Sequence, residues 1–550
     1  AVHSHPPFQW QDRLATQVWQ EKAWPEHVSA PTGAGKTSTI DIAVWCLARD
    51  VALNGITDRR FPLRIFLTVE RRLVVDDAAE HAASISEAIE ENPALNSVNA
   101  ALRQLLPVNH AGPVLQVTSL HGGKAPEYGW LRPHGAQIIT ATVTQLASRT
   151  LFRGVSVSPG TLPMHAGLTG VDRLILIDEP HLAPAAVKMW RESESIQRSY
   201  PRSPLVGSTV VLGATVPSYL GDPSPYAQQR FRITKPAKIE EVINAGAVSK
   251  TLVSAAIEAF EGRSHDEGSD GVLIVVNTIA AAVKVAKALD KALKKHKERR
   301  ISLLTSTVRP VDRTTPDSFG PDTIIVATQT VEVGVDIDAE VLITELPAMP
   351  ALIQRFGRVN RTGQRGQRVS TIVAQTDDLG PSDKAVAFIY GKEQMASTWQ
   401  ALTALAGSSN YLPDASALTV PPEAWEPNPR TCRVEDFLPR LTLTRPPAQA
   451  PWEALAFGPD HTERASVTLA WRETLDDVLD KSQVFSEETI SIPIAEARLF
   501  LAGRRRDPLF ADTIAESSTA QTRAQVTVNC RVRREEEWVQ PQSIYEIRPD

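Results

Sequence analysis

Residues 28–37 read Val-Ser-Ala-Pro-Thr-Gly-Ala-Gly-Lys-Thr. A phosphate group is held by backbone N–H donors that can approach it closely. Gly33 and Gly35 permit the tight loop this demands, and the helix expected to follow would add the positive end of its dipole. In such a loop Thr32, Gly33, Ala34 and Gly35 would line a nucleoside triphosphate. Lys36 would reach its β- and γ-phosphates, and the Thr37 hydroxyl would ligate Mg2+. The strict pattern has glycine five places before Gly35, where this chain has Ala30. A Gly-containing turn ahead of Lys-Thr is the plain alternative.

Residues 174–181, Leu-Ile-Leu-Ile-Asp-Glu-Pro-His, put two carboxylates at the end of an apolar run. If that run is a strand of a parallel sheet, its carboxyl end is where ligands bind. Asp178 would then hold Mg2+, and Glu179 would orient and deprotonate a water attacking the γ-phosphate. Taken alone, the same residues also describe a strand ending in a solvated acidic turn. Residues 354–361, Gln-Arg-Phe-Gly-Arg-Val-Asn-Arg, repeat arginine at intervals of three. On a continuous helix Arg355, Arg358 and Arg361 would share one face, placing guanidinium groups where phosphoryl-transfer charge could be neutralised.

These groups need rigid elements behind them. Short apolar runs at 65–69, 137–141, 174–177 and 209–212 alternate with longer stretches of helical spacing such as 73–91, which predicts a parallel α/β sheet. The pattern breaks at 221–236, a linker-like stretch, and restarts with strand-like runs at 272–276, 301–305, 323–327 and 341–346 and a helix at 280–293. Three regions follow: 1–225 and 237–378 as α/β domains, and 379–550 as a Pro-rich connection with an accessory region. The last has nine prolines in 411–451, then strand-like alternation at 466–471 and 525–533, so it reads as mixed or mainly β.

The 550 residues are enough for several cores, and 42% hydrophobic with 22% charged residues is ordinary for a soluble globular chain. A net charge of −6 excludes nucleic-acid binding by bulk positive charge, though not by a local groove. No apolar run reaches the ~18 residues of a membrane span, and no signal peptide is visible. The three scattered cysteines, Cys46, Cys432 and Cys530, form neither a metal spacing nor a disulfide framework, as expected of a cytoplasmic protein. Opening on Ala1 and closing on Asp550 with no evident domain end is expected of a fragment or processed product.

Taken in order, Ala30–Thr37, Asp178–His181, Gly213-Ala214-Thr215, 327–338 and 354–361 resemble the motifs of superfamily 2 DExH-box helicases, across about the first two-thirds of the chain. The resemblance implies α/β architecture with two tandem RecA-like P-loop NTPase domains, ATP in the cleft between them, and Mg2+. It gives Arg358 and Arg361 the arginine-finger role, Gln11 the adenine-reading role, and Gly334 and Asp336 a place by the ribose. Gly213–Thr215 matches the motif coupling hydrolysis to strand movement. Pro180 departs from the commoner small residue and removes one backbone N–H near the phosphates.

Nucleic acid is expected on small polar or basic residues after strand-like runs: Arg71, Arg72, His121, Gly122, Thr142, Asn277 and Arg309, with Thr328 and Thr330 on a phosphate by resemblance. The run 283–300, with eight Lys/Arg and two acids, reads first as a solvated amphipathic helix. Further details are similar to the helicase part of CRISPR-associated type I interference helicase-nucleases, in the subtype whose nuclease domain follows the helicase. They are Asp-Glu-Pro-His at 178–181, residues 69–76, residues 306–313 and residues 328–336. That family implies single-stranded DNA translocation, recruitment by an RNA-guided surveillance complex, and an HD nuclease. No His and Asp constellation of that kind is evident: His265-Asp266 reads as solvent-exposed, and a nuclease is expected beyond Asp550 or on a separate chain. A DExH helicase acting on RNA, or in repair or restriction, is the alternative.

Overall fold

The computed structural model describes residues 6–30, 34–69, 72–120, 128–154, 157–199, 207–213, 233–263, 270–306, 308, 319–332, 337–361, 363, 367–375, 390, 392–418, 452–457, 466–471, 489–493, 526–527 and 544–547. The chain divides into two compact units, Ala1–Arg232 with Thr419–His461, and Ile233–Leu418 with Thr462–Asp550. The third region of the sequence is thus shared between the two.

In the first unit, β1 (His27–Ser29), β2 (Arg64–Val69), β3 (Leu115–Leu120), β4 (Ala136–Thr142), β5 (Arg173–Asp178) and β6 (Ser208–Gly213) form one sheet in the order β1-β6-β5-β2-β4-β3. Every neighbouring pair is parallel. Side chains alternate across a strand, so a sheet covered on both faces needs apolar residues at every position. The central strands meet this demand. Ile65, Leu67, Ile138, Leu174, Leu176, Val210 and Leu212 enter one core, while Phe66, Ile139, Ile175, Ile177 and Val211 enter the other. The second core also takes Leu455 and Ala456 from the helix Trp452–Phe457.

The second unit carries β7 (Ala237–Val242), β8 (Val272–Val275), β9 (Arg300–Leu304), β10 (Thr323–Ala327), β11 (Val341–Glu345), β12 (Ser370–Gln375) and β13 (Tyr411–Leu412). Their order is β13-β7-β12-β11-β8-β10-β9, parallel except for β13. Helices Ala245–Glu261 and Ile279–Ala292 cover one face through Leu252, Phe260, Val285 and Leu289. Four short strands, β14 (Ser466–Trp471), β15 (Thr489–Pro493), β16 (Val526–Thr527) and β17 (Ile544–Ile547), make a mixed sheet. Of the strand expected over 525–533, only Val526–Thr527 lies among the described residues.

Strands β1, β3, β7, β12, β13, β15 and β17 lie outside the runs that the sequence suggested, and for three of them the reason is plain. β1 has three residues, and β3 and β7 mix polar with apolar residues because each lies at or next to a sheet edge with one face partly exposed.

Candidate nucleotide-hydrolysis site

β1 and β5 flank β6 and all three run parallel, so their carboxyl ends lie together at one rim of the first sheet. The backbone ties them together: Ala30 N donates to Gly213 O at 3.2 Å, and Glu179 N donates to Leu212 O at 3.1 Å. Gly35 sits at φ 72°, the left-handed region, and leads into the short 3-10 turn Lys36–Ser38 and the helix Thr39–Asn54. A Cβ at Gly35 would lie 3.0 Å from Gln11 Nε2. The Lys36 carbonyl accepts from the Thr39 hydroxyl at 2.9 Å, which fixes the start of that helix.

The N-terminal helix Gln9–Glu21 clips this loop from outside. Trp10 Nε1 donates to Ala34 O at 3.1 Å, and Gln11 Nε2 donates to Gly35 O at 3.1 Å. The Gln11 side-chain oxygen accepts from Phe8 N at 2.8 Å. Gln11, assigned to adenine by resemblance, therefore has an amide donor on the Gly35 carbonyl and its oxygen on the N-cap backbone N–H of its own helix. Trp10 is the part that sequence reasoning missed; an aromatic beside the glutamine was its only signal.

Lys36 Nζ and Glu179 Oε1 face each other at 3.7 Å, with both side chains more than nine-tenths buried. Glu179 holds a left-handed backbone, φ 53° and ψ 60°, directly before Pro180. Such a conformation costs a residue with a Cβ about 1–3 kcal/mol and collects at functional sites. Asp178 ends β5, is partly exposed, and accepts from Glu179 N at 3.1 Å. The donors fit a metal-bound triphosphate: a glycine in the left-handed backbone region that side chains avoid, a buried ammonium, the half-buried Thr37 hydroxyl, and one carboxylate toward solvent with another buried.

The second unit corrects the picture of three arginines on one helix face. The helix Met349–Phe356 ends before Gly357, so only Arg355 is helical. Beyond it the chain turns, and residues 357–361 are stitched to the segment before β11. Ala339 N donates to Arg358 O at 2.8 Å, Asn360 N to Ala339 O at 2.9 Å, and Arg361 N to Asp338 Oδ1 at 2.5 Å. Arg358 is buried and donates to Glu332 O at 2.9 Å.

Arg355 is a structural hub with no solvent exposure. Its guanidinium donates to Glu332 Oε1 at 3.0 Å, Thr344 Oγ1 at 2.7 Å, Glu345 O at 2.8 Å, Asn277 Oδ1 at 3.0 Å and Tyr390 OH at 2.8 Å. Tyr390 OH in turn donates to Glu332 Oε1 at 2.7 Å. Burial opposes the charge of Arg355, yet Tyr390, Glu332 and Glu345 hold its pKa above the ordinary arginine value. Glu332 and Tyr390 carry no short-range signal, and sequence reasoning missed both.

The same network takes up Asn277, one of the residues expected on nucleic acid. Its side chain is fully buried; besides serving Arg355 it donates to Leu346 O at 2.8 Å, and its backbone N donates to Glu345 Oε2 at 2.8 Å. Thr142 caps the helix Val143–Thr150 by accepting from Gln145 N at 3.4 Å. Thr328 is buried at the end of β10, and the Thr330 hydroxyl donates to Leu304 O at 2.7 Å. Arg72 opens the helix Arg72–Glu91. Thr32, Gly33, Arg71, His121, Gly122, Thr215, His265, Asp266, Arg309, Gly334 and Asp336 lie outside the described residues, as does most of 221–236. Among the described residues no group of three or more His, Cys, Asp or Glu could hold a metal ion, and no helix is long and apolar enough to cross a membrane.

Residues 268–364, which include the Arg355 hub and the arginine turn, match the family model of the C-terminal part of CRISPR-associated nuclease/helicase Cas3. The chain is 30% identical over 150 residues to the CRISPR-associated nuclease/helicase Cas3 of Methanothermobacter thermautotrophicus, covering 25% of this chain and 16% of that protein. It is 26% identical over 272 residues to the CRISPR-associated helicase Cas3 of Thermoproteus tenax, covering 46% and 44%. The chain thus spans less than half the length of either relative. The crystal structure of T. fusca Cas3 matches 99% of this chain and 68% of its own at 16% identity and TM-score 0.58; the Cas3-ATP structure matches 90% and 64% at TM-score 0.56. The fold is α/β with tandem RecA-like domains, and the chain resembles the helicase part of Cas3.

Proposed function

We propose that this Cas3-like helicase chain is an ATP-driven single-strand DNA translocase of CRISPR type I interference, unwinding target DNA for degradation. The observation that carries the proposal is the buried Lys36–Glu179 pair at 3.7 Å, delivered by two different strands of one sheet beside a left-handed Gly35. A buried ammonium and carboxylate on a phosphate loop suit hydrolysis of a phosphoanhydride. In this mechanism the loop amides and Lys36 bind the β- and γ-phosphates. Thr37 and Asp178 would hold Mg2+, which would neutralise charge on the leaving diphosphate. Glu179 orients a water and accepts its proton as the oxygen attacks the γ-phosphorus; ADP and phosphate leave. Arg358 and Arg361 are the candidates for the charge developing on the transferred group.

Cycles of binding and hydrolysis would advance the strand by phosphate contacts, to which Arg72, Thr142, Thr328 and Thr330 are assigned, with Arg71, His121, Gly122 and Arg309. Gln11, Gly334 and Asp336 are kept on the nucleoside side. One solved neighbour, at 14% identity and TM-score 0.52, is titled a CRISPR RNA-guided surveillance complex, pre-nicking; a surveillance complex of that kind is the proposed partner. The test is ATP hydrolysis with single-stranded DNA, single-stranded RNA, or neither. DNA stimulation supports the proposal, whereas stimulation by RNA alone would assign the motor to RNA.

A further inference from the structure

We infer that Lys235 is a positioning residue for the arginine turn of the second unit, holding residues 356–361 in place from behind through the carbonyl end of their helix. This rests on the proposed ATPase function. Lys235 Nζ donates to Phe356 O at 2.7 Å, at the last residue of the helix Met349–Phe356. A cation there complements both the unsatisfied carbonyls and the negative end of the helix dipole.

The rest of the clamp is built around the same ammonium. Asp338 and Asp414 are the carboxylates that act on it, and Arg361 is the cation that acts against it. Asp338, whose charge favours the Lys235 ammonium, also accepts from Arg361 N at 2.5 Å at the far end of the turn. Lys235 is itself fixed through its backbone: its N donates to Asp414 Oδ1 at 2.9 Å, and its O accepts from Ala415 N at 2.8 Å. The six-residue path from Phe356 to Arg361 is therefore held at both ends, by Lys235 at Phe356 O and by Asp338 at Arg361 N, with Ala339 bonded to Arg358 O and Asn360 N between them. A shift of about 1 Å in a group acting on a transition state can cost 100-fold in rate, which is why such a grip matters for turnover.

Burial lowers the pKa of Lys235 to about 8, against the pull of Asp338 and Asp414 and with the help of Arg361. The charge that meets the Phe356 carbonyl therefore fades as pH rises through about 8. The sign for stability is opposite. The unfolded chain keeps this proton to the ordinary lysine value of 10.5, so this group makes folding more favourable as pH climbs from about 8 toward 10.5. Loss of the clamp should thus appear as lost turnover without lost stability.

The experiment measures steady-state ATP hydrolysis at saturating single-stranded DNA from about pH 7 to pH 9.5, for wild type, Lys235→Met and Lys235→Arg, with Lys36→Ala as control. Lys235→Met is expected to lower kcat about tenfold with KM for ATP within about threefold, and to lack the alkaline decline of wild type. Lys235→Arg is expected to restore kcat to within about threefold and to hold it through pH 9.5, since arginine stays charged. Thermal melting of Lys235→Met at neutral pH checks that the variant is folded; because it replaces a buried charge, no fall in melting temperature is expected. Wild-type kcat in Lys235→Met, or an alkaline decline it shares with wild type, would overturn the inference. Turnover that is absent, or insensitive to Lys36→Ala, would instead overturn the ATPase reading, and the inference with it.

Discussion

Glu179 adopts its left-handed backbone beside Lys36 because three neighbours fix it: Leu212 O and Asp178 Oδ1 both receive its N–H, and Pro180 follows. Glu179→Gln keeps the size and removes the base, so ATP turnover should fall by at least about 100-fold while the melting temperature changes little. Lys36→Ala should remove turnover as well, and a retained rate in either variant would withdraw the site. Gly35→Ala forces a Cβ into the left-handed region and against Gln11, at a cost of about 1–2 kcal/mol by denaturant titration, and should weaken nucleotide binding. The pairing of Lys36 with Glu179 was legible in the sequence because each lies in one short contiguous motif. Trp10, Tyr390 and Lys235 were not, because each matters only through a partner 24, 35 or 121 residues away.

At the level of elements, central strands were legible because burial on both faces demands unbroken apolar runs, as in β5 and β8. The arginine motif was half legible. Its spacing suggests one helix, but the chain leaves the helix after Phe356 to pair with Ala339, and a pairing partner across the fold has no local signature. Arg355 consequently turns inward. Arg355→Met leaves Glu332 buried without its cation, and should cost about 3–5 kcal/mol of stability, read from the unfolding midpoint. The helix Gln9–Glu21 acts as a clip on the phosphate loop. Trp10→Phe removes one hydrogen bond to Ala34 O, worth about 0.5–1.5 kcal/mol, and should raise KM for ATP with little change in kcat.

For the whole molecule, a net charge of −6 is compatible with the proposed strand binding, since the proposed phosphate contacts are local. The division into two units gives the segment around Trp452–Phe457 a structural task its Pro-rich surroundings do not advertise. It completes a core of the first unit, and Leu455→Ala should cost that unit about 2–5 kcal/mol. The central claim is that this chain is a DNA-driven ATPase, and hydrolysis of ATP by the purified chain with and without single-stranded DNA tests it most directly. The account predicts a rate that rises with single-stranded DNA, rises less with RNA, and is lost in Lys36→Ala. A rate indifferent to DNA, or unchanged in Lys36→Ala, would contradict it.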